Sequence, residues 1–216
     1  MAGVVASPPA HRILRESTRA AHDAAEETAG MCRLMAGELD EAGYAGLLLA
    51  QLALFREWER ERGDWLAGLR EWNYVSRAAL LEADLAAVDS IAHRVGSYQA
   101  AAALGERPVG AHEVRDAFPR NTSTGTHPDP AACWGELYVI EGSALGGRII
   151  VRRLRELYPR LSHGFYAIGE DKPPAWRRFQ GLLDANLVDE ASQATAVAAA
   201  RAMFARFQQT LQDPAA

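Results

Sequence analysis

Apolar residues along this chain recur at intervals of three and four, the period of an amphipathic helix, and almost nowhere alternate as in a half-buried strand. The pattern predicts a first helix from Pro9 to Gly30, with Ser7 as cap and prolines in the first turn. Its inward stripe would carry Leu14, Thr18, Ala21, His22 and Ala25. A second helix is predicted from near Asp40 to Gly63, and a third from Ser76 to Arg94 after a break around Trp65 to Asn73. Shorter helices fit Ser97–Leu104 and Ala111–Phe118. Pro119 to Pro130 is dense in turn residues and reads as a long loop, the kind that is functional or mobile. Three more helices follow, over Ala131–Tyr158, Pro174–Leu187 and Asp189–Gln212. The expectation is an all-α, single-domain, multihelical fold over residues 9–212. Residues 1–8 and 213–216 would be flexible termini.

Composition narrows the function classes. The 216 residues suffice for a sizeable core, and 49% hydrophobic with 24% charged residues is ordinary for a globular protein. A formal net charge of −5 and the absence of a dense basic run argue against nucleic acid or an anionic membrane as partner. Lys172 is the sole lysine, so the basic residues are almost all arginine. Cys32 and Cys133 have no metal or redox spacing, and no CxxCH motif provides covalent haem attachment. The first ten residues do not read as a signal peptide, and no stretch approaches a membrane span. A cytoplasmic protein is the expectation.

The most unusual feature is GSALGG, Gly142 to Gly147, inside a segment otherwise strongly helical. Each mid-helix glycine costs about 0.5–1 kcal/mol relative to alanine, so three in six residues need a reason. Close helix packing is the commoner one; close approach of a ligand to the backbone is the other. A phosphate loop fails for want of a following Lys-Ser or Lys-Thr, and Ser143 is not centred in GxSxG. His22 alone among six histidines falls on the inner stripe of a well-defined long helix, with Glu26 one turn later. Neutral imidazole is a good axial ligand for haem iron, and a carboxylate one turn away can orient it. Such a histidine is more often a hydrogen-bonded core residue. Neither ExxH nor HExxH is present, and Trp58, Trp65 and Trp72 read as packing.

Taken together, LRESTRAAHDAAEE (Leu14 to Glu27) and LYVIEGSALGG (Leu137 to Gly147) resemble the haem oxygenase family, and its bacterial members in particular. The first resembles the family's proximal helix, with Thr18, His22 and Glu26 in matching places, and the second its distal helix. FREWERERGDWLAGL, RAALLEADL and the W-R-R-F at Trp176 to Phe179 extend the resemblance over most of the chain.

The resemblance implies haem held between the two helices, with His22 as axial ligand to the haem iron. Gly142, Gly146 and Gly147 would pass close to bound O₂. Where mammalian-type members carry a distal carboxylate, this chain has Ser143, leaving Ser143, backbone groups and water to deliver protons. Arg15, two turns before His22, and Arg177 or Arg178 would face the propionates; Phe204 and Met203 would pack on the ring or in the core. The implied reaction is cleavage of haem b, both substrate and cofactor, to biliverdin with release of CO and ferrous iron. No flavin or nicotinamide motif is present, so a ferredoxin or flavin reductase would supply electrons, and a phytochrome is a possible acceptor of the product. Alternatives are a haem carrier or sensor of the same fold, a thiaminase-type relative without haem, and a structural partner protein. Regioselectivity, iron acquisition against chromophore supply, and oligomeric state are not legible.

Overall fold

The computed structural model describes residues 8–88, 128–170 and 173–212, and among these there are helices and no strands. In chain order they are α1 (Ala10–Glu26), α2 (Ala29–Ala36), α3 (Glu41–Gly68), α4 (residues 77–88 of its described part), α5 (Pro130–Leu157), α6 (Gly164–Ala167), α7 (Pro173–Asn186) and α8 (Glu190–Leu211). The helices predicted over Ser97–Leu104 and Ala111–Phe118, the end of the helix predicted to Arg94, Ser7 and most of the proline-rich loop lie outside the described residues.

Local chemistry sets most of the boundaries. Asp40 caps α3 by accepting from the Gly43 amide at 2.8 Å, and Asp129 caps α5 by accepting from Ala131 at 2.8 Å. At α8, Asp189 and Ser192 form a reciprocal capping box. The single helix predicted over Pro9–Gly30 is two: α1 ends at Glu26, and the Thr28 hydroxyl donates to the Ala25 carbonyl at 3.0 Å. That bond satisfies an end-of-helix carbonyl and turns the chain into α2, a helix missed from sequence. α3 also runs a turn further than predicted, to Gly68, with Trp65 packed against Trp134.

α8 is the spine of the core. Ala196, Ala200, Met203, Phe204, Phe207 and Leu211 form its buried stripe, and it packs against α1, α3 and α5. Against α1, Arg201 donates twice to the Ser17 carbonyl and Gln208 donates to the Ala21 carbonyl. Against α5, the Ala196 carbonyl meets the Cα of Gly135 where any Cβ would collide with it. α3 contributes Tyr44, Leu47, Leu48, Leu52, Phe55 and Trp58 to the same core. Buried polar groups there are partnered: the Trp58 indole donates to Glu136, and Tyr44 and the Tyr158 carbonyl take the two ring nitrogens of His163. Burial lowers the His163 pKa, which favours the neutral ring.

Because Gly135 faces backbone that cannot rotate away, Gly135→Ala is expected to destabilise the chain by about 2 kcal/mol or more. Gly63→Ala, on an exposed face of α3 with nothing within 4 Å, is expected to stabilise it by about 0.5–1 kcal/mol. Urea unfolding of the two variants beside the parent protein checks both signs.

Candidate active site

Of the residues singled out in sequence, Arg15, His22 and Glu26 fall on α1 and Gly142, Ser143, Gly146 and Gly147 on α5, with Arg177 on α7 and Phe204 on α8. Burial pushes the Tyr138 phenol up, partly offset by a hydrogen bond with Thr18 and the nearby charge of Arg15, so Tyr138 of α5 meets α1 here. Further along, Arg153 of α5 donates to the Met35 carbonyl of α2 at 3.2 Å, and Leu157 packs on Gly37. The contacts thus come in the same order along α1–α2 and along α5. Between them lie His22 and Glu26 on one side and Gly142, Ser143 and Gly146 on the other. One helical turn carries Thr18 to His22, and one carries Tyr138 to Gly142, so these pairs share faces. The two stretches are thus bracketed by contacts at both ends.

On the α1 side, His22 is not the buried stripe residue that the pattern predicted. Its side chain is 53% exposed, while Leu14 and Thr18 are buried. The ring stands edge-on to Phe204 of α8, with centroids 5.9 Å apart and planes at 72°. Its nitrogens lie 3.7 Å from Asp23 Oδ1 and 3.7 Å from Glu26 Oε1, attractive distances but too long for hydrogen bonds. The commoner fate of such a residue, a core histidine with both nitrogens spent, is therefore ruled out here. The imidazole is seated on Phe204 and has a nitrogen to give. Glu26 and Arg15 are exposed beside it.

On the α5 side the glycines separate into different roles. A Cβ on Gly146 would meet nothing within 4 Å, and one on Gly142 would touch only the Trp176 ring, at 3.5 Å. Gly147 is a correction: it is buried, and a Cβ there would come within 2.6 Å of the Tyr166 carbonyl. Packing of α6 on α5 by itself accounts for its missing side chain. Ser143 is exposed, and its hydroxyl donates to the Ile140 carbonyl one turn back at 2.8 Å. That bond uses its proton and leaves the oxygen as an acceptor.

α7 is built with Trp176 and Phe179 turned inward, their rings stacked at 5.6 Å. Trp176 also lies 5.9 Å from Tyr138, covering Gly142. Of the two arginines between them, Arg177 is exposed, and Arg178 sits over the Trp72 ring at 5.3 Å, a cation–π contact. Met203 is fully buried core. Tyr138 and Trp176 were missed as site residues. Tyr138 carried a signal, since it precedes Gly142 by one turn; the position of Trp176 depends on a helix pairing that no local pattern encodes. A larger open concavity, about 750 Å³, is lined by Leu145, Arg148, Ile149, Arg152, Arg155, Glu156 and Glu170. It shares no residue with the cleft. Among the described residues no cluster of histidine, cysteine or carboxylate side chains could hold a bare metal ion.

Comparison with known proteins bears on the chemistry. The model of the haem oxygenase family matches residues 9–213. This chain belongs to the haem oxygenase family. A haem oxygenase from Xanthomonas campestris pv. campestris (strain 8004) is 38% identical over 175 residues, which is 79% of this chain and 90% of that one. The fold agrees. The haem oxygenase structure from Leptospira interrogans superposes with a TM-score of 0.64 at 19% identity, covering 95% of this chain and 99% of the other. Haem oxygenase-1 from Synechocystis sp. PCC 6803 in complex with haem gives 0.61 at 19% identity, over 94% of this chain and 91% of that one. The all-α haem oxygenase fold expected from sequence is confirmed, and the family makes the chain an oxidoreductase that degrades haem. No described helix is long and apolar enough to cross a membrane.

The two neighbouring glycines of this haem oxygenase can be told apart experimentally. Gly147→Ala is expected to lower stability of the haem-free protein by about 1–3 kcal/mol through overpacking. Gly146→Ala is expected to leave it unchanged or raise it by up to about 1 kcal/mol, and to alter the absorption spectrum of the haem-loaded protein. Thermal unfolding of the haem-free variants and optical spectra after haem addition check the pair.

Proposed function

We propose that the cleft between α1 and α5 holds haem, with His22 as the axial ligand, and that this arrangement opens the ring to biliverdin with release of CO and ferrous iron. The observation that carries the proposal is the exposed, unspent imidazole of His22. It is seated on Phe204, and α5, which meets α1 at Tyr138, carries two glycines with no backbone packed against them. Haem, when bound, supplies both the iron that activates dioxygen and the ring that is cut.

The protein's own part is binding, orientation and exclusion. His22 offers a neutral nitrogen, and Glu26, one turn on, closes on the other nitrogen as the ring turns toward its ligand. Phe204 limits where the imidazole can swing. Gly142 and Gly146 let backbone approach the opposite face of the ring. Trp176 and Tyr138 wall the Tyr138 end of the cleft, and Arg15 stands at that end as the cation for a propionate, in place of Arg178. With its own proton donated to the Ile140 carbonyl, Ser143 is left as a hydrogen-bond acceptor, so a water donating to its oxygen would be the group that hands a proton to the substrate. Electrons come from a separate donor protein, a ferredoxin or a flavin reductase, and a phytochrome is a candidate acceptor of the bilin.

Haemin added to the protein is expected to give a Soret band, and reductant in air is expected to replace it with bilin absorption. A Soret band that survives reduction in air would indicate a carrier instead. His22→Ala is expected to remove the ligand-dependent spectrum and to reduce turnover by more than the roughly 10–100-fold typical of losing a supporting partner. Glu26→Gln is expected within that range.

A further inference from the structure

Against Trp176 the structure holds a buried ion pair beside a small cavity. Arg77 and Glu141 form an ion pair there, Nη2 to Oε1 at 3.0 Å, with side chains only 2% and 5% exposed. Arg77 is held by the Val75 carbonyl at 2.7 Å and lies over the Tyr74 ring at 5.3 Å. Yet its Nη2 is off-line for a hydrogen bond to Glu141, and that nitrogen is buried without an acceptor. The indole Nε1 of Trp72 is likewise buried without an acceptor. Two buried donors left over beside one carboxylate is an expensive arrangement, since each unsatisfied group costs its full desolvation.

Trp72 and Glu141 line a cavity of about 10 Å³, together with Ala144, Leu145, Gly169, Ala175 and Trp176. That volume is at the threshold for a single water molecule, and a buried water typically makes about three hydrogen bonds. The polar groups of the lining suit such a guest: the water oxygen accepts from Trp72 Nε1, and one of its protons goes to Glu141, whose carboxylate also holds Arg77 at 3.0 Å. We infer that this pocket binds one internal water, and that the hydrated Trp72–Arg77–Glu141 unit is a positioning element for haem cleavage. It fixes the turn of α5 that carries Gly142 and braces the Trp176 ring, which lines the pocket on one side and covers Gly142 on the other. The unit ties the α3–α4 connection to α5 and α7. It acts through Gly142 and Trp176 and does not touch substrate. The inference rests on the haem cleft proposed above, but its first test needs no haem.

In the haem-free full chain, the Trp72 indole proton is expected to exchange slowly and to show a nuclear Overhauser contact with a long-lived water. Fast exchange, or no such contact, overturns the water site whatever the cleft binds. In the haem-loaded protein, Trp72→Phe removes the donor and keeps the ring. It is expected to lower kcat about tenfold, inside the roughly 100-fold that misplacement of a reacting group costs, with haem affinity within about twofold of the parent and the pH profile unmoved. Ala175→Val, which fills the cavity and leaves Trp72 in place, is expected to give the same loss and stands in if Trp72→Phe does not fold. Unchanged kcat in both variants, a loss that resides in haem affinity, or a shifted pH profile overturns the positioning role.

Discussion

The carbonyl of Ala196 reaches α5 at Gly135, and the carbonyl of Tyr166 reaches it at Gly147. These two backbone approaches fix where α5 lies against α8 on one side and α6 on the other. The functional cleft depends on them, because Gly142 and Gly146 fall between the two anchored points and inherit a placement they do not secure themselves. A helix held by side chains alone can adjust by rotating them; one held by carbonyl against Cα has no such slack. Mid-helix glycine costs about 0.5–1 kcal/mol per residue, and α5 carries that cost for two separate ends. At Gly135 and Gly147 it allows packing. At Gly146 it leaves open a surface that packing does not require.

That division explains what the sequence could and could not disclose. Helix content was legible because long amphipathic periods survive any tertiary arrangement, and α5, α7 and α8 begin and end within a residue or so of expectation. The join of α1 and α2 was not, since it turns on a Thr28 hydroxyl reaching the Ala25 carbonyl, a bond that competes with helix continuation without disturbing the apolar pattern. GSALGG marked α5 as unusual, but helix periodicity alone gave its three glycines one meaning. In the structure only Gly147 lies against backbone, the Tyr166 carbonyl of α6, while Gly142 faces the Trp176 ring and Gly146 faces open space.

His22 shows the same limit from the other side. A stripe through Leu14, Thr18, Ala21 and Ala25 places it at the edge of the buried face, and a one-dimensional pattern cannot distinguish edge from centre. Phe204, nearly two hundred positions away, decides the matter by supporting the ring from one side only. Arg77 with Glu141 and Thr18 with Tyr138 are pairs of the same kind. Neither member is conspicuous by itself, and the pairing exists only once α4 and α1 lie against α5. Family resemblance located the two helices of the site; the aromatic and ionic residues that shape it came from tertiary contact.

The use of arginine follows the same logic. With a single lysine, nearly every basic side chain presents a planar fork rather than a point charge. Arg62 uses it to bind Glu136 through two nitrogens, and Arg155 does so with Glu170. Arg155 and Glu170 stand in solvent, where screening leaves such a pair little weight in stability, while Arg62 and Glu136 are partly covered. Arg77 differs because it is buried, and there a charge must be fully hydrogen-bonded or it weakens the fold. A haem-degrading enzyme destroys its own prosthetic group in each cycle, so the protein must regain the same cleft without the ring as a template. Clasps at Thr18–Tyr138 and at Met35–Arg153, outside the segment that meets the ring, are suited to that demand. They hold α1–α2 and α5 in register whether or not anything lies between His22 and Gly146.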